Sequence, residues 1–233
     1  MLILRKFASA IAPELSLKMK LLRRIRAAMA TNDALAGMAE IRPELIANTV
    51  TLANRDALID QMPKGGIVAE LGVMHGDFAA RILARNSPAH LHLVDIWGEA
   101  GRMARVAQRF SDQPVSLHQG WSWEIVSTFP DQSLSWVYID AAHDFHSVER
   151  DLTACRPKVR PGGFIAGHDY TRWKVGPHQV VRYGVIEAVN SFCNRYSLAL
   201  AYLTAEASRH LSFAIRLPDR ISGVTQAPPP NGA

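Results

Sequence analysis

Long apolar runs are missing from this 233-residue chain. The longest are interrupted by charge or glycine, so no segment suits a bilayer-spanning helix. Cysteine is scarce: only Cys155 and Cys193 occur, far apart, each in an apolar helical pattern. That excludes a disulfide framework and fits buried, reduced thiols in a cytoplasmic protein. No internal repeat is seen. Beyond residue 30 there is also almost no charge imbalance. The first 30 residues carry seven Lys/Arg and one acid, the remainder nineteen and twenty, so the overall charge of +5 is an N-terminal property. A nucleic-acid binder would spread positive charge over a folded face, so no nucleic-acid partner is expected.

What the chain does hold is core. Hydrophobic residues make up 48% of it and charged residues 20%, which suits one large α/β domain with an appendage. Residues 14–62 read as helical, first through Leu15, Leu21, Ile25 and Met29, then over Pro43–Leu58, where Pro43 suits a helix start. The basic N-terminal segment fits a helix that packs on the body or on a second subunit, giving a homodimer. Peripheral contact with an anionic membrane and a targeting peptide are its alternatives, although a short apolar stretch without a cleavage site makes a poor signal peptide. Pro63-Lys-Gly-Gly66 breaks the pattern. After it, apolar runs at Ile67–Leu71, Leu91–Val94, Val115–His118, Leu134–Ile139 and Phe164–Ala166 alternate with helical stretches, which implies βαβ units and a parallel sheet. Leu198–Leu203 and Leu211–Leu217 follow without a helix between them and read as an antiparallel hairpin. The expected division is a helical appendage over 1–62, a domain over 63–217 and a mobile tail over 218–233.

Four stretches carry candidate chemistry. In Val68-Ala-Glu-Leu-Gly-Val-Met-His-Gly-Asp-Phe78 a strand ends at Glu70, Gly72 and Gly76 shape the turn, and a helix begins at Asp77. The glycines let a ligand approach the backbone at a strand's carboxyl end. The third glycine of a dinucleotide fingerprint is absent, and Asp77 would compete with a pyrophosphate for the helix N-terminus. A sulfonium ligand without phosphate fits better than a dinucleotide. Asp95, ending the next strand and followed by Ile96, lies where an acid accepts ribose hydroxyls, although a single strand-end Asp is also an ordinary turn cap. His118-Gln119-Gly120-Trp121-Ser122-Trp123 offers close approach at Gly120, an apolar wall at Trp121 and a helix cap at Ser122. Finally, Tyr138-Ile-Asp140-Ala-Ala-His143 and Gly167-His168-Asp169-Tyr170 each end an apolar strand in acid and imidazole, a pairing that suits a divalent cation.

These motifs resemble class I S-adenosylmethionine-dependent methyltransferases. Over residues 65–192 the chain is similar to the bacterial macrocin- and mycinamicin-type sugar O-methyltransferases, and more distantly to catechol O-methyltransferase. The most specific pieces are Tyr138-Ile-Asp-Ala-Ala-His, Ser147-Val-Glu-Arg-Asp-Leu152, Arg160-Pro-Gly-Gly-Phe-Ile-Ala-Gly-His-Asp-Tyr170 and Tyr183-Gly-Val-Ile-Glu-Ala-Val189. The resemblance implies a Rossmann-like, mostly parallel seven-stranded sheet with a C-terminal antiparallel hairpin. It implies S-adenosylmethionine on Glu70, Gly72, Gly76, Asp95, Ile96, Gln119, Gly120, Trp121, Ser122 and Asp140. It also implies a divalent metal on Asp140, His168 and Asp169, with His143 as general base beside Asp140. Histidine at 168 replaces a common carboxylate, which shifts preference from Mg²⁺ toward Mn²⁺. The acceptor is expected to be a small molecule, with Trp173, Lys174, His178 and Arg182 near it. A cofactor-binding module without turnover and a nucleotide-binding Rossmann enzyme are the rival classes.

Overall fold

Apolar runs of five or six residues, each followed by an amphipathic stretch, are the material of a parallel sheet covered on both faces. The computed structural model describes residues 40–175, 180–206 and 210–219, with only the backbone for 174, 175 and 180. The basic N-terminal segment, His178 and most of the tail lie outside those residues. Ten strands are described: β1 (Val50–Leu52), β2 (Ile67–Leu71), β3 (His90–Asp95), β4 (Val115–Gln119), β5 (Leu134–Ile139), β6 (Val159–Gly167), β7 (Trp173–Val175), β8 (Val180–Arg182), β9 (Leu200–Thr204) and β10 (Phe213–Arg216). The helices are α1 (Arg55–Gln61), α2 (Asp77–Asn86), α3 (Arg102–Arg109), α4 (Ser122–Ser127), α5 (Phe145–Cys155) and α6 (Val185–Tyr196). Eight strands form one sheet in the order β1-β9-β10-β6-β5-β2-β3-β4, and β7 and β8 form a separate hairpin. Within the large sheet β10 alone runs against its neighbours, pairing antiparallel with both β6 and β9.

The sheet therefore has eight strands where seven are expected. The extra one comes from the segment before residue 62, which is not the continuous helix expected over Pro43–Leu58. Pro43–Leu45 is a single 3₁₀ turn. The β-branched pair Val50-Thr51 then favours extended backbone, and β1 adds in parallel to the edge strand β9. Asn54 stops it and caps α1, its side chain accepting from Ala57 N at 3.0 Å.

Side chains alternate along the central strands, so each face has its own core. Leu71, Val137, Ile139 and Ile165 pack with Val126, Val148, Leu152, Val189 and Phe192 of α4, α5 and α6. Val68, Leu93, Trp136 and Tyr138 pack with Ile59, Phe78, Ile82 and Val106 of α1, α2 and α3. All six residues of β5 are buried, as a central strand requires. Cys155 and Cys193 are buried free thiols on α5 and α6. No described helix is long and apolar enough to cross a membrane.

One group in this core is costly. Asp151 on α5 is fully buried, and neither of its carboxylate oxygens has a hydrogen-bond partner among the described residues. Burial pushes its pKa from 3.8 up to about 7. The native state thus holds a proton that the unfolded chain releases near pH 4. The stability carried by the neutral acid is complete below that pH and is lost as pH rises through about 7. Asp151→Asn is expected to match wild type near pH 4 and to exceed it at pH 8 by up to about 4 kcal/mol. Thermal unfolding at both values checks this, and a difference independent of pH contradicts it.

Candidate active site

The cleft lies at the carboxyl edge of β2, β3, β4 and β5, and parallel hydrogen bonding sets its geometry. Gly72 N donates to Val94 O at 2.8 Å, Asp140 N to Leu71 O at 2.7 Å and His168 N to Ile139 O at 3.0 Å. The residues that end successive strands are therefore side by side. Gly72 has φ +89°, and a Cβ there would lie 2.1 Å from the Asp140 carbonyl oxygen. The close approach of the β2 and β5 tips needs glycine at this position. Gly76, at φ +79°, precedes α2, and a Cβ there would lie 2.7 Å from the Phe110 ring.

A cavity of about 560 Å³ opens beside Gly72, within the range of small-ligand sites. Glu70, Gly72, Asp140, Ala141, Ala142 and His143 line it, as do Asp95, Ile96, Gly120, Trp121 and Ser122. Asp95 is also the turn cap that its position allows. Its Oδ2 accepts from Val73 N at 2.8 Å and Met74 N at 3.0 Å, and its Oδ1 from Trp97 N at 2.8 Å. Those bonds hold together the two loops, after β2 and after β3, in which Met74 and Trp97 take positive φ. Met74, Ile96 and Trp121 are large apolar side chains left more than half exposed at the rim. Trp121 stacks on Trp123 at 5.1 Å between ring centroids.

Glu70 is 1% exposed, and its Oε2 has no hydrogen-bond partner among the described residues. Burial raises its pKa well above the usual range, and the nearby charges of Asp140 and Asp95 push the same way. The Arg55 guanidinium opposes the shift, with a smaller effect than burial and these two acids.

The acid and imidazole groups gather behind Asp140. Asp140, His143 and Asp169 each offer a ligand atom, all within 4.8 Å of one another, a spacing that a metal ion could bridge. His143 Nδ1 lies 3.3 Å from Asp169 Oδ2. His168 Nδ1 lies 3.5 Å from both Asp140 Oδ2 and Asp169 Oδ1, and its buried Nε2 is 3.8 Å from Glu206 Oε2. Asp169 is nearly buried and takes φ +56°, an uncommon backbone state of the kind found at functional sites. His168 and Asp169 stand behind the cavity wall and do not line it, whereas His143 does. His146 is exposed on α5, and Asp144 caps that helix by accepting from Ser147 N at 3.0 Å.

Three expectations change. Gly76 was expected to bind the cofactor but does not line the cavity. Gln119 does not line the cavity; its amide reaches Ile96 O at 3.5 Å. Ser122 is the first residue of α4 and makes no capping bond, because Trp121 holds the cap position. Three residues of the site, Arg55, Glu206 and His210, carry no motif, and Tyr183 joins it from a stretch quoted above only for its resemblance. Arg55 enters from α1, its guanidinium 3.9 Å from Asp140 Oδ2 and 3.7 Å from Glu206 Oε1. Glu206 follows β9 and His210 precedes β10, and His210 Nδ1 is hydrogen-bonded to Asp169 Oδ1. Tyr183 stacks on His143 at 4.6 Å. Glu206 follows the carboxyl end of a strand parallel to the others, and that position is the signal that would have found it. Trp173 and Arg182 belong to the β7–β8 hairpin, where the Arg182 guanidinium lies 5.4 Å from the Trp173 ring centroid. Arg182 also pairs with Glu187 of α6.

Comparison with known proteins follows this geometry. Residues 69–170, just under half the chain, match a family model described as a methyltransferase domain. No curated protein matches the chain. Solved structures share the fold at low identity. An O-methyltransferase family protein from Burkholderia thailandensis has TM-score 0.54 and 12% identity, over 72% of this chain and 56% of its own. An S-adenosylmethionine-dependent methyltransferase from Mesorhizobium loti has TM-score 0.52 and 13% identity, over 70% and 95%. A tRNA methyltransferase of B. subtilis has TM-score 0.51 and 13% identity, over 72% and 66%. The fold is the Rossmann-like methyltransferase fold, and these neighbours differ in what they methylate.

The contact between Gly72 and the Asp140 backbone gives a direct expectation. Gly72→Ala meets both left-handed strain and main-chain overlap, and should cost roughly 2–5 kcal/mol. Gly65→Ala, with φ +70° but nothing within 4 Å of its Cβ, meets the strain alone. Urea unfolding of the two variants compares them, and equal losses would contradict the crowding at Gly72.

Proposed function

We propose that this chain transfers the methyl group of S-adenosylmethionine to a hydroxyl oxygen of a small molecule, with a divalent cation at the acidic end of the cleft. One observation carries the reading: a single cavity joins Asp95, Ile96 and the Gly120–Ser122 turn to Glu70, Asp140 and His143. The first group suits a nucleoside, with ribose hydroxyls on Asp95 and the base against Ile96 and Trp121. The second suits a cationic amino-acid end. Glu70, buried and unpartnered beside two further carboxylates, is the observation that fits a ligand carrying a sulfonium and an ammonium.

The cation fits as well. Asp140 and Asp169 would hold it, with an imidazole from His143 or His168 completing the set. Two carboxylates and an imidazole suit Mn²⁺ or a similar ion better than Mg²⁺. Such an ion, when bound, lowers the pKa of a hydroxyl and orients it.

The chain's own residues do the remainder. Asp169 faces Nδ1 of His143 and Tyr183 packs on the ring, so the imidazole is held with Nε2 as its second nitrogen. His143 takes the acceptor's hydroxyl proton at Nε2 as the oxygen forms its bond to the methyl carbon. The carbon–sulfur bond breaks and its electron pair stays on sulfur, which leaves S-adenosylhomocysteine. Asp95 and the glycine turn fix the donor, so orientation is the protein's main contribution.

The test is transfer of labelled methyl groups to a panel of sugar, natural-product and phenolic hydroxyl acceptors, with and without EDTA. Activity is expected on at least one such acceptor and to fall at least about tenfold in EDTA. His143→Ala should lower kcat by about 10²–10⁴-fold. If that variant still binds Mn²⁺, His143 is the base; if Mn²⁺ binding is lost too, His143 is a ligand. Donor binding without transfer to any acceptor would identify a binding module, and full activity in metal-free protein would remove the cation.

A further inference from the structure

Three arginines line the cavity, and their pairing differs. Arg81 reaches Asp56 at 3.2 Å and Arg102 reaches Glu99 at 2.6 Å. Among the described residues Arg55 has no carboxylate partner as close, although the Tyr138 hydroxyl is also beside its guanidinium. The two carboxylates beside its guanidinium, on Asp140 and Glu206, are 3.9 and 3.7 Å away, beyond hydrogen-bonding distance. The side chain is about one-quarter exposed, and its guanidinium carbon lies 5.4 Å from the Phe78 ring centroid. Phe78 in turn packs on Tyr138. The backbone is pinned separately, with Arg55 N donating to Glu206 Oε1 at 2.5 Å. The backbone is thus fixed, and the side chain is one of those that line the cleft.

The position within the cavity is specific. Arg55 stands beside Asp140, at the end of the cleft where β2 and β5 terminate, and its charge acts on Glu70. Asp95 and Trp121 mark the nucleoside region. The donor's other end is an amino acid, which brings an ammonium and a carboxylate together. Glu70 and Asp140 answer the ammonium. A carboxylate entering among these acids would be repelled unless a cation met it, and a planar guanidinium matches a carboxylate with two parallel hydrogen bonds.

We infer that Arg55 binds the α-carboxylate of the methyl donor, which makes the segment before residue 62 part of the cofactor site. The inference rests on the donor assigned under the proposed function. Its consequence is selectivity, because the cleft would discriminate between S-adenosyl compounds by the presence of that carboxylate.

Two ligands isolate the contact. S-adenosylmethionine and its decarboxylated form share nucleoside, sulfonium and ammonium, and differ only in the carboxylate. Calorimetric titration of wild type should show the intact donor binding more tightly by about 10- to 100-fold, the range of a charge-assisted hydrogen-bonded pair. Arg55→Met, which keeps an aliphatic stem on Phe78, should lose that same factor for the intact donor and bind the decarboxylated form as wild type does. Arg55→Lys should recover part of the difference. Equal weakening of both ligands would show that Arg55 only shapes the cleft and would overturn the assignment. So would an unchanged affinity for the intact donor, which would leave the guanidinium to an anionic acceptor. If wild type binds neither compound, the donor itself is wrong and the assignment falls with it.

Discussion

The parallel register of β2, β5 and β6 is the constraint on which the site depends. Each strand hands its first residue beyond the sheet to a neighbour's last carbonyl, Asp140 to Leu71 and His168 to Ile139. A shift of one residue would send Glu70, Asp140 and Asp169 to other faces. The buried run of β5 fixes that register, because Trp136 and Tyr138 serve one core while Val137 and Ile139 serve the other. Function here is a by-product of packing: the same alternation that fills two cores delivers three carboxylates to one edge.

Those carboxylates leave the edge with unmet demand for positive charge. Glu70 is buried beside Asp140 and Asp95, and its burial raises the cost of ionisation. Asp140, Asp169 and Glu206 are answered only by imidazoles and by one loosely paired arginine. The methyl donor and the divalent ion proposed above would each supply positive charge to this edge. The electrostatics also explain why the cleft suits a sulfonium better than a pyrophosphate. Asp77, at the start of α2, is held ionised by its hydrogen bond to Arg109, so the helix N-terminus already has its negative charge.

How much was legible follows from sequence separation. Glu70, Gly72 and Gly76 sit within seven residues, and Asp140 and His143 within four, so local motifs disclosed them. The strands and helices from Ile67 to Gly167, and α6, follow their hydrophobic periods closely, because both faces of the sheet are covered, whereas β7 and β8 lie outside that sheet and were not read as strands. Arg55, Glu206 and His210 were not legible. They reach the site through β1, β9 and β10, and the β1–β9 pairing joins chain segments some 150 residues apart. The helical reading of Pro43–Leu58 failed for a related reason: a three-residue strand earns its conformation from the edge it pairs with, not from its own period. Ser122 was taken for a cap because its residue type favours that role, whereas the helix begins one residue earlier than that role needs.

The central claim is spatial, and a crystal structure of the protein grown with S-adenosylhomocysteine and Mn²⁺ tests it most directly. The account predicts ribose hydroxyls on Asp95, the thioether sulfur on the Asp140 side of the cleft, and metal density touching Asp140 and Asp169. A ligand seated elsewhere, or a nucleoside turned so that Asp95 faces only its own loop, would contradict it.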